Sequence, residues 1–209
     1  MPAEAHLVTA VILAGGNATR MNGANKGLVK LYNTPLIQYV IHKIAPQVDE
    51  LLINANRDIT EFEAFGYPVI RDNIKHNGDL IGPLAGFHAG LTTALYEYVL
   101  FVPCDMPNLP SNLCECLITQ LQLNSAEIAV LKTGNDVIPV VCVCKKTVLP
   151  SLIAYINQGN RKVSTWQKSC VYVEVNLPNT FSYNNNGEMI DQGGNFTNLN
   201  SAQDILDYE

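Results

Sequence analysis

Short apolar runs alternate along this chain with stretches in which apolar residues recur every three or four positions. The runs at 8–13, 51–53, 69–70 and 99–102 lack polar–apolar alternation, so they read as strands buried on both faces. Between them, Leu36, Val40, Ile41 and Ile44 share one helical face, with Thr34 expected as N-cap, Pro35 as first helical residue and Pro46 as the stop. Asp58 and Glu61 predict a capping box on a short helix closed by Gly66. Gly82-Pro83 opens a helix to about Tyr96, and on it Gly86 and Gly90 lie four apart, leaving one face open to a strand or ligand. Pro110-Ser-Asn begins a helix to about Leu123, with Ser111 or Asn112 as its cap. Strands at 128–131, 137–144 and 171–175 follow, with a helix at 149–156 and a polar helix or turn at 161–168. Turn chemistry at 184–187 and a capped helix at 201–206 complete the reading. The alternation predicts an α/β fold: three αβα layers, Rossmann-like, with a mostly parallel central sheet. Residues 1–209 read as one domain, without repeat, linker or low-complexity segment.

Polar and turn-forming residues stand where these strands stop: Gly15, Asn54, Asp72 and Asp105. In open parallel sheets the carboxyl ends of the strands form the ligand crevice. The first strand runs into Ala14-Gly15-Gly16, and the loop beyond carries Arg20 and Lys26. A glycine pair here serves as a plain tight turn or lets backbone N–H groups close on phosphate oxygens. The loop fits neither G-x-G-x-x-G nor G-x-x-x-x-G-K-[ST], because Lys26 is followed by Gly27. Asp105 stands between Pro103 and Pro107, whose rigidity suits a Mg²⁺ ligand; its other reading is a helix cap. Gly15, Gly16, Arg20, Lys26 and Asp105 together would make a phosphate-plus-metal site, Lys26 neutralising the transferring phosphate and Arg20 holding the outer ones. The four histidines do not cluster, and no Ser-His-Asp or Cys-His arrangement is evident. Cations, a metal and no base suit transfer of a phosphoryl or nucleotidyl group to an acceptor that is already anionic.

Composition narrows this further. Hydrophobic content of 47% against 15% charged residues excludes a disordered chain, and a net charge of −6 argues against a general nucleic-acid binder. From Lys132 to Lys168 there are six cations and only Asp136 opposing them, whereas the chain after Lys168 has six acids and no cation. The basic stretch is either a small-anion site or a solvated face. None of the six cysteines forms a C-x-x-C pair, so thiols buried as small hydrophobes are expected throughout, Cys104 excepted. No basic leader or membrane-length apolar run stands at the start, so a cytoplasmic protein with no membrane association is expected.

Leu13-Ala-Gly-Gly-x-x-x-Arg20-Met-x-Gly23-x-x-Lys26-Gly27 resembles the signature loop of nucleotidyltransferases. Ile53-Asn-Ala-Asn-Arg57, Asp72, Gly82-Pro-Leu-Ala-Gly86, Pro103-Cys-Asp105 and Phe196-x-Asn198-x-Asn200, in that order, are similar to the molybdenum cofactor guanylyltransferase (MobA) family over nearly the whole chain. The resemblance implies a Mg²⁺-dependent enzyme that joins GMP from GTP to the phosphate of molybdenum-molybdopterin and releases pyrophosphate. By matched position it implies nucleotide contacts from Leu13, Ala14, Gly15, Gly16, Lys26, Asn54, Asp72 and Asp105, with Asp105 also on the metal. Residues 1–110 would form the nucleotide half and 111–209 the acceptor half, with Arg161, Lys162, Asn198 and Asn200 toward the acceptor. A monomer meeting molybdoenzymes or their chaperones transiently is the implied assembly. Asn22 and Asn25 depart from the family pattern, where a Gly and an Asp are usual. The sister CTP-using enzymes typically read Leu-Ala-Ala-Gly, so Gly15 favours GTP; a cytidylyltransferase or a sugar-phosphate nucleotidyltransferase is the alternative.

Overall fold

The first apolar run forms β1 (Val8–Leu13), which is paired on both sides at the centre of a parallel block. The computed structural model describes residues 6–15, 25–74, 81–177, 181–183 and 189–191. The turn expected at 184–187 and the helix expected at 201–206 lie outside them. After β1 come β2 (Lys30–Leu31), β3 (Thr34–Pro35), α1 (Leu36–Ile44), β4 (Glu50–Asn54), α2 (Ile59–Glu63) and β5 (Val69–Ile70). Then follow α3 (Pro83–Thr93), β6 (Tyr98–Pro103), α4 (Leu113–Leu123), β7 (Ile128–Thr133) and β8 (Asp136–Lys145). The chain continues through α5 (Leu149–Asn157), α6 (Val163–Gln167), β9 (Tyr172–Asn176), β10 (Phe181–Tyr183) and β11 (Met189–Asp191).

Seven strands make the main sheet in the order β5-β4-β1-β6-β8-β7-β9. β5, β4, β1 and β6 run parallel, β8 runs antiparallel to both β6 and β7, and β7 runs parallel to β9. This is the mostly parallel sheet that the alternation predicts. The strands lack apolar–polar alternation because both their faces are covered. Val8, Ala10 and Ile12 pack with residues of α1 and α4, whereas Val11, Leu52 and Phe101 pack with residues of α3, α5 and α6. In the second layer Phe101 stacks on Phe87, which meets Trp166 edge-on, with ring centroids 4.2 and 5.7 Å apart. Gly90 permits that closeness: a Cβ there would stand 2.6 Å from Phe101 Cε1.

Three local expectations are corrected. Thr34 and Pro35 pair with β2 instead of opening α1, because Tyr32 and Asn33 both take positive φ (45° and 66°) and close a tight hairpin. Pro35 therefore caps a helix that begins at Leu36. Asp58 takes a left-handed conformation (φ 52°, ψ 40°) and its side chain makes no cap bond, so the capping box does not form. Neither Ser111 nor Asn112 caps α4 through its side chain; Gln47 does so from across the fold, accepting from the Cys114 N–H at 3.0 Å and donating to the Pro110 carbonyl at 2.9 Å.

Candidate active site

Register decides where the strand ends meet. Leu13 lies opposite Asn54 on one side and Pro103 on the other, so β1, β4 and β6 stop level with one another. The Ala14 N–H continues the ladder to the Asn54 carbonyl at 2.8 Å, and the Ala55 N–H reaches the Ile70 carbonyl at 3.0 Å. Gly15, Asn54, Asp72 and Asp105 consequently share one edge of the sheet. Asn54 is 2% exposed, and its Nδ2 donates to Asp72 Oδ1 at 2.9 Å. Asn56 Nδ2 donates to Asp72 Oδ2 at 2.7 Å, and Asn56 Oδ1 accepts from the Asp72 backbone N–H at 3.0 Å. Gly86, in the first turns of α3, leans on the same group: a Cβ there would be 2.6 Å from Asn54 Oδ1 and 2.8 Å from Leu13 Cδ2.

The chain after the glycine loop returns through a single 3₁₀ turn, Lys26–Leu28, closed by Leu28 N–H to the Asn25 carbonyl (2.9 Å) and Val29 N–H to the Lys26 carbonyl (3.1 Å). Gly27 is buried against the Cys104 side chain and the Phe62 ring, with 3.3 Å between each and the place a Cβ would occupy. That floor sets the height of the turn and carries Lys26 over Asp105, with Nζ 3.2 Å from Oδ2. The Asp105 side chain is only 9% exposed. Burial raises its pKa above the ordinary carboxylate value, and the lowering by Lys26 does not offset this. Cys104 is buried, and desolvation first, with the Asp105 charge second, pushes its thiol far up. It is a packing residue, like Cys142 and Cys144, whose sulfurs lie 3.8 Å apart on one face of β8.

Residues 10–171 match the MobA-like NTP transferase domain family. The molybdenum cofactor guanylyltransferase of Shewanella putrefaciens is 42% identical over 83% of this chain and 89% of its own. That of Cupriavidus pinatubonensis is 35% identical over 97% and 96%. The chain belongs to the molybdenum cofactor guanylyltransferase family. The fold agrees with a solved structure from Archaeoglobus fulgidus, molybdopterin-guanine dinucleotide biosynthesis protein A, at a TM-score of 0.73 and 22% identity, covering 97% of each chain.

The guanylyltransferase pattern named Leu13, Ala14, Gly15, Lys26, Asn54, Asp72 and Asp105, and all seven line this edge. Gly16, Arg20, Asn198 and Asn200 lie outside the described residues. Arg161 and Lys162 stand apart, in the loop joining α5 to α6. α5 starts where β8 ends, and Lys145 of β8 pairs with Tyr98 at the far end of β6, so α5 leads back toward the crevice side. There Arg161 Nη1 donates to the Asn160 carbonyl and the Lys162 carbonyl accepts from Tyr155 Oη, while the Lys162 side chain is exposed. Asn25 is 6% exposed, and its neighbour Lys26 pairs with the Asp105 carboxylate.

Among the described residues, no three His, Cys, Asp or Glu side chains converge as a metal-binding group. Mg²⁺ needs no such cage, since it takes one or two carboxylates and completes its shell with water and substrate phosphates. A desolvated Asp105 that Lys26 leaves undercompensated fits that role. Asn56 also belongs to the site, and in the sequence it stands only as a letter of the Ile53-Asn-Ala-Asn-Arg57 motif. The signal was there: Asn54 and Asn56 are two apart, which puts their side chains on one face of an extended segment.

Proposed function

We propose that this chain transfers GMP from Mg–GTP to the terminal phosphate of molybdenum-molybdopterin. The observation that supports this best is the convergence, in a guanylyltransferase-family chain, of a glycine loop, a Lys26–Asp105 pair and an amide-held Asp72 on one sheet edge. An oxygen of the acceptor phosphate attacks the α-phosphorus, forming a new P–O–P link as the bond to the β-phosphate breaks and pyrophosphate leaves. The acceptor oxygen is already ionised, so no general base is required. Asp105 would hold Mg²⁺, which supplies charge neutralisation on the triphosphate. Lys26 stabilises the charge on the transferring phosphate, and the backbone at Ala14 and Gly15 lies against the nucleotide. Arg20 would steady the outer phosphates, and Arg161, Lys162, Asn198 and Asn200 the molybdopterin half. In the cell this reads as a cytoplasmic monomer handing product to molybdoenzymes or their chaperones; among the described residues no helix is long and apolar enough to cross a membrane.

Pyrophosphate release from GTP, with and without molybdenum-loaded molybdopterin, tests the reading. Release should require the acceptor and Mg²⁺ and should favour GTP over CTP. Equal or faster turnover of CTP would move the chain to the sister reaction, and GTP binding without release would leave only a nucleotide-binding module.

A further inference from the structure

The Asn56 side chain makes three hydrogen bonds at the crevice edge, two to Asp72 and one to Gly15. Its amide closes a two-bond ring with Asp72, donating to Oδ2 at 2.7 Å and accepting from the backbone N–H at 3.0 Å. Turning the amide over would set its oxygen against the carboxylate and its NH₂ against the N–H, so only one orientation serves. The same NH₂ points at the Gly15 carbonyl, 3.4 Å away. A Cβ at Gly15 would stand 3.0 Å from both Asn56 Nδ2 and Asn54 Oδ1, so the bare glycine lets the loop close on the amide pair. Asn54 holds the other carboxylate oxygen at 2.9 Å. Asp72 is thus clamped by one amide on each oxygen. A carboxylate offers about four acceptor positions, so each oxygen keeps one beyond the clamp. Asp72 is half-buried, and among the described residues it has no ion-pair partner.

We propose that Asn56 is a positioning residue for nucleoside recognition, fixing Asp72 as a two-pronged acceptor for an adjacent pair of donors on the bound nucleotide and tying that acceptor to the glycine loop. This rests on the proposed GTP-dependent reaction. Two parts of GTP carry such a pair: the N1–H and 2-amino hydrogens of the base, and the ribose 2′,3′-diol. ITP lacks the 2-amino group and 2′-deoxy-GTP lacks one hydroxyl, so the two analogues separate the sources.

The test compares the full-length wild type with Asn56→Ala, Asn56→Asp and the swapped pair Asn56→Asp/Asp72→Asn, using GTP, ITP and 2′-deoxy-GTP. Wild type should pay about tenfold or more in kcat/KM on one analogue. Asn56→Ala should raise KM for GTP about tenfold, leave kcat within about threefold, and shrink that analogue penalty to about threefold or less. Asn56→Asp, which faces one carboxylate with another, should be the worse single variant. The swapped pair restores the two bonds between positions 56 and 72 with donor and acceptor exchanged, but sets a carboxylate oxygen against the Gly15 carbonyl, so it should recover part of the melting temperature that Asn56→Asp loses without recovering KM. An Asn56→Ala variant that loses the same factor on all three nucleotides, or whose KM for GTP stays within about twofold of wild type, overturns the proposal. Should Asn56→Ala fail to fold, the swapped pair decides alone: recovery of KM along with stability overturns it. If wild type proves unable to turn over GTP, the reaction assignment fails separately, and equilibrium binding of the same three nucleotides still tests Asn56.

Discussion

At the N-terminal end of β1, Glu50 Oε2 accepts from Thr9 Oγ1 at 2.6 Å and from the Leu95 backbone N–H at 2.8 Å, while Asp49 Oδ2 accepts from the Val8 N–H at 2.9 Å. Thr9 in turn accepts from the Tyr96 N–H at 3.2 Å. At the C-terminal end of the same strand, Asp72 is held by the amides of Asn54 and Asn56, and Asp105 by the amine of Lys26. Asp49 is exposed and Asp105 buried, but Glu50 and Asp72 are both half-buried, and what separates those two is their partners. Carboxylates at the first end spend themselves on backbone N–H groups, or on a buried hydroxyl, that would otherwise be orphaned, which is structural work. Those at the second are steadied by side chains that line a crevice. Glu50 and Asp72, equally half-buried, are therefore told apart by what donates to them.

The widest separation between the two ends should come from Asp105→Asn. We expect turnover at saturating Mg²⁺ to fall by more than roughly a thousandfold. The melting temperature should not fall, because the folded pKa of Asp105 lies above its unfolded value and the ionised form is the costly one at neutral pH. Near-normal turnover would remove Asp105 from the metal.

Lys26→Ala should cost on the order of a hundredfold in kcat. It should also shift the pH dependence. Burial already raises Asp105, and Lys26 is the main group lowering it, so its loss raises the pKa further. The carboxylate is then lost at a higher pH on acidification, and the acid limb of Mn²⁺ binding should move upward relative to wild type. A limb that stays in place, or moves down, would show that Lys26 does not act on Asp105.

Gly86 and Gly90 divide one helix between the two roles. Gly86→Ala drives a Cβ to 2.6 Å from Asn54 Oδ1 and should raise KM for GTP about tenfold. Gly90→Ala meets Phe101 and Val11 instead and should cost about 1–3 kcal/mol of stability with KM unchanged. Matching kinetics in the two variants would erase the distinction. The mildest kinetic effect belongs to Glu50→Ala: about 1–3 kcal/mol in denaturant titration, with kcat/KM within about twofold. A larger catalytic loss would show that the far end of β1 is coupled to the site.

The parallel core was legible because 8–13, 51–53 and 99–102 carry no polar residue to face water, Thr9 apart, and the crevice was legible because each such run breaks off at Gly15, Asn54 or Asp105. What the sequence hid depended on partners far along the chain or on backbone conformation. Gln47 caps α4 across 67 residues, which no local cap rule contains. Tyr32 and Asn33 adopt positive φ without a glycine, so the hairpin leaves no mark in the sequence, where Thr34 reads as the N-cap of α1 and Pro35 as its first residue. Asp58 was a sound capping residue by type, but its left-handed backbone turned it away from the helix. Asn56 was visible as a motif letter, and only the ring it closes with Asp72 gives that letter a task.

The contacts that build the crevice are long-range in the chain: Gly15 meets Asn56 across 41 residues, and Lys26 meets Asp105 across 79. Such pairings carry a loop-closure penalty that local helices escape. A chain whose parallel block is incomplete has no nucleotide edge at all. A nucleotide taken up at that edge would then bind only the finished fold and stabilise it by mass action. Magnesium-bound GTP would thus be both the substrate and a conformational chaperone of its own site, slowing unfolding in proportion to its concentration over Kd.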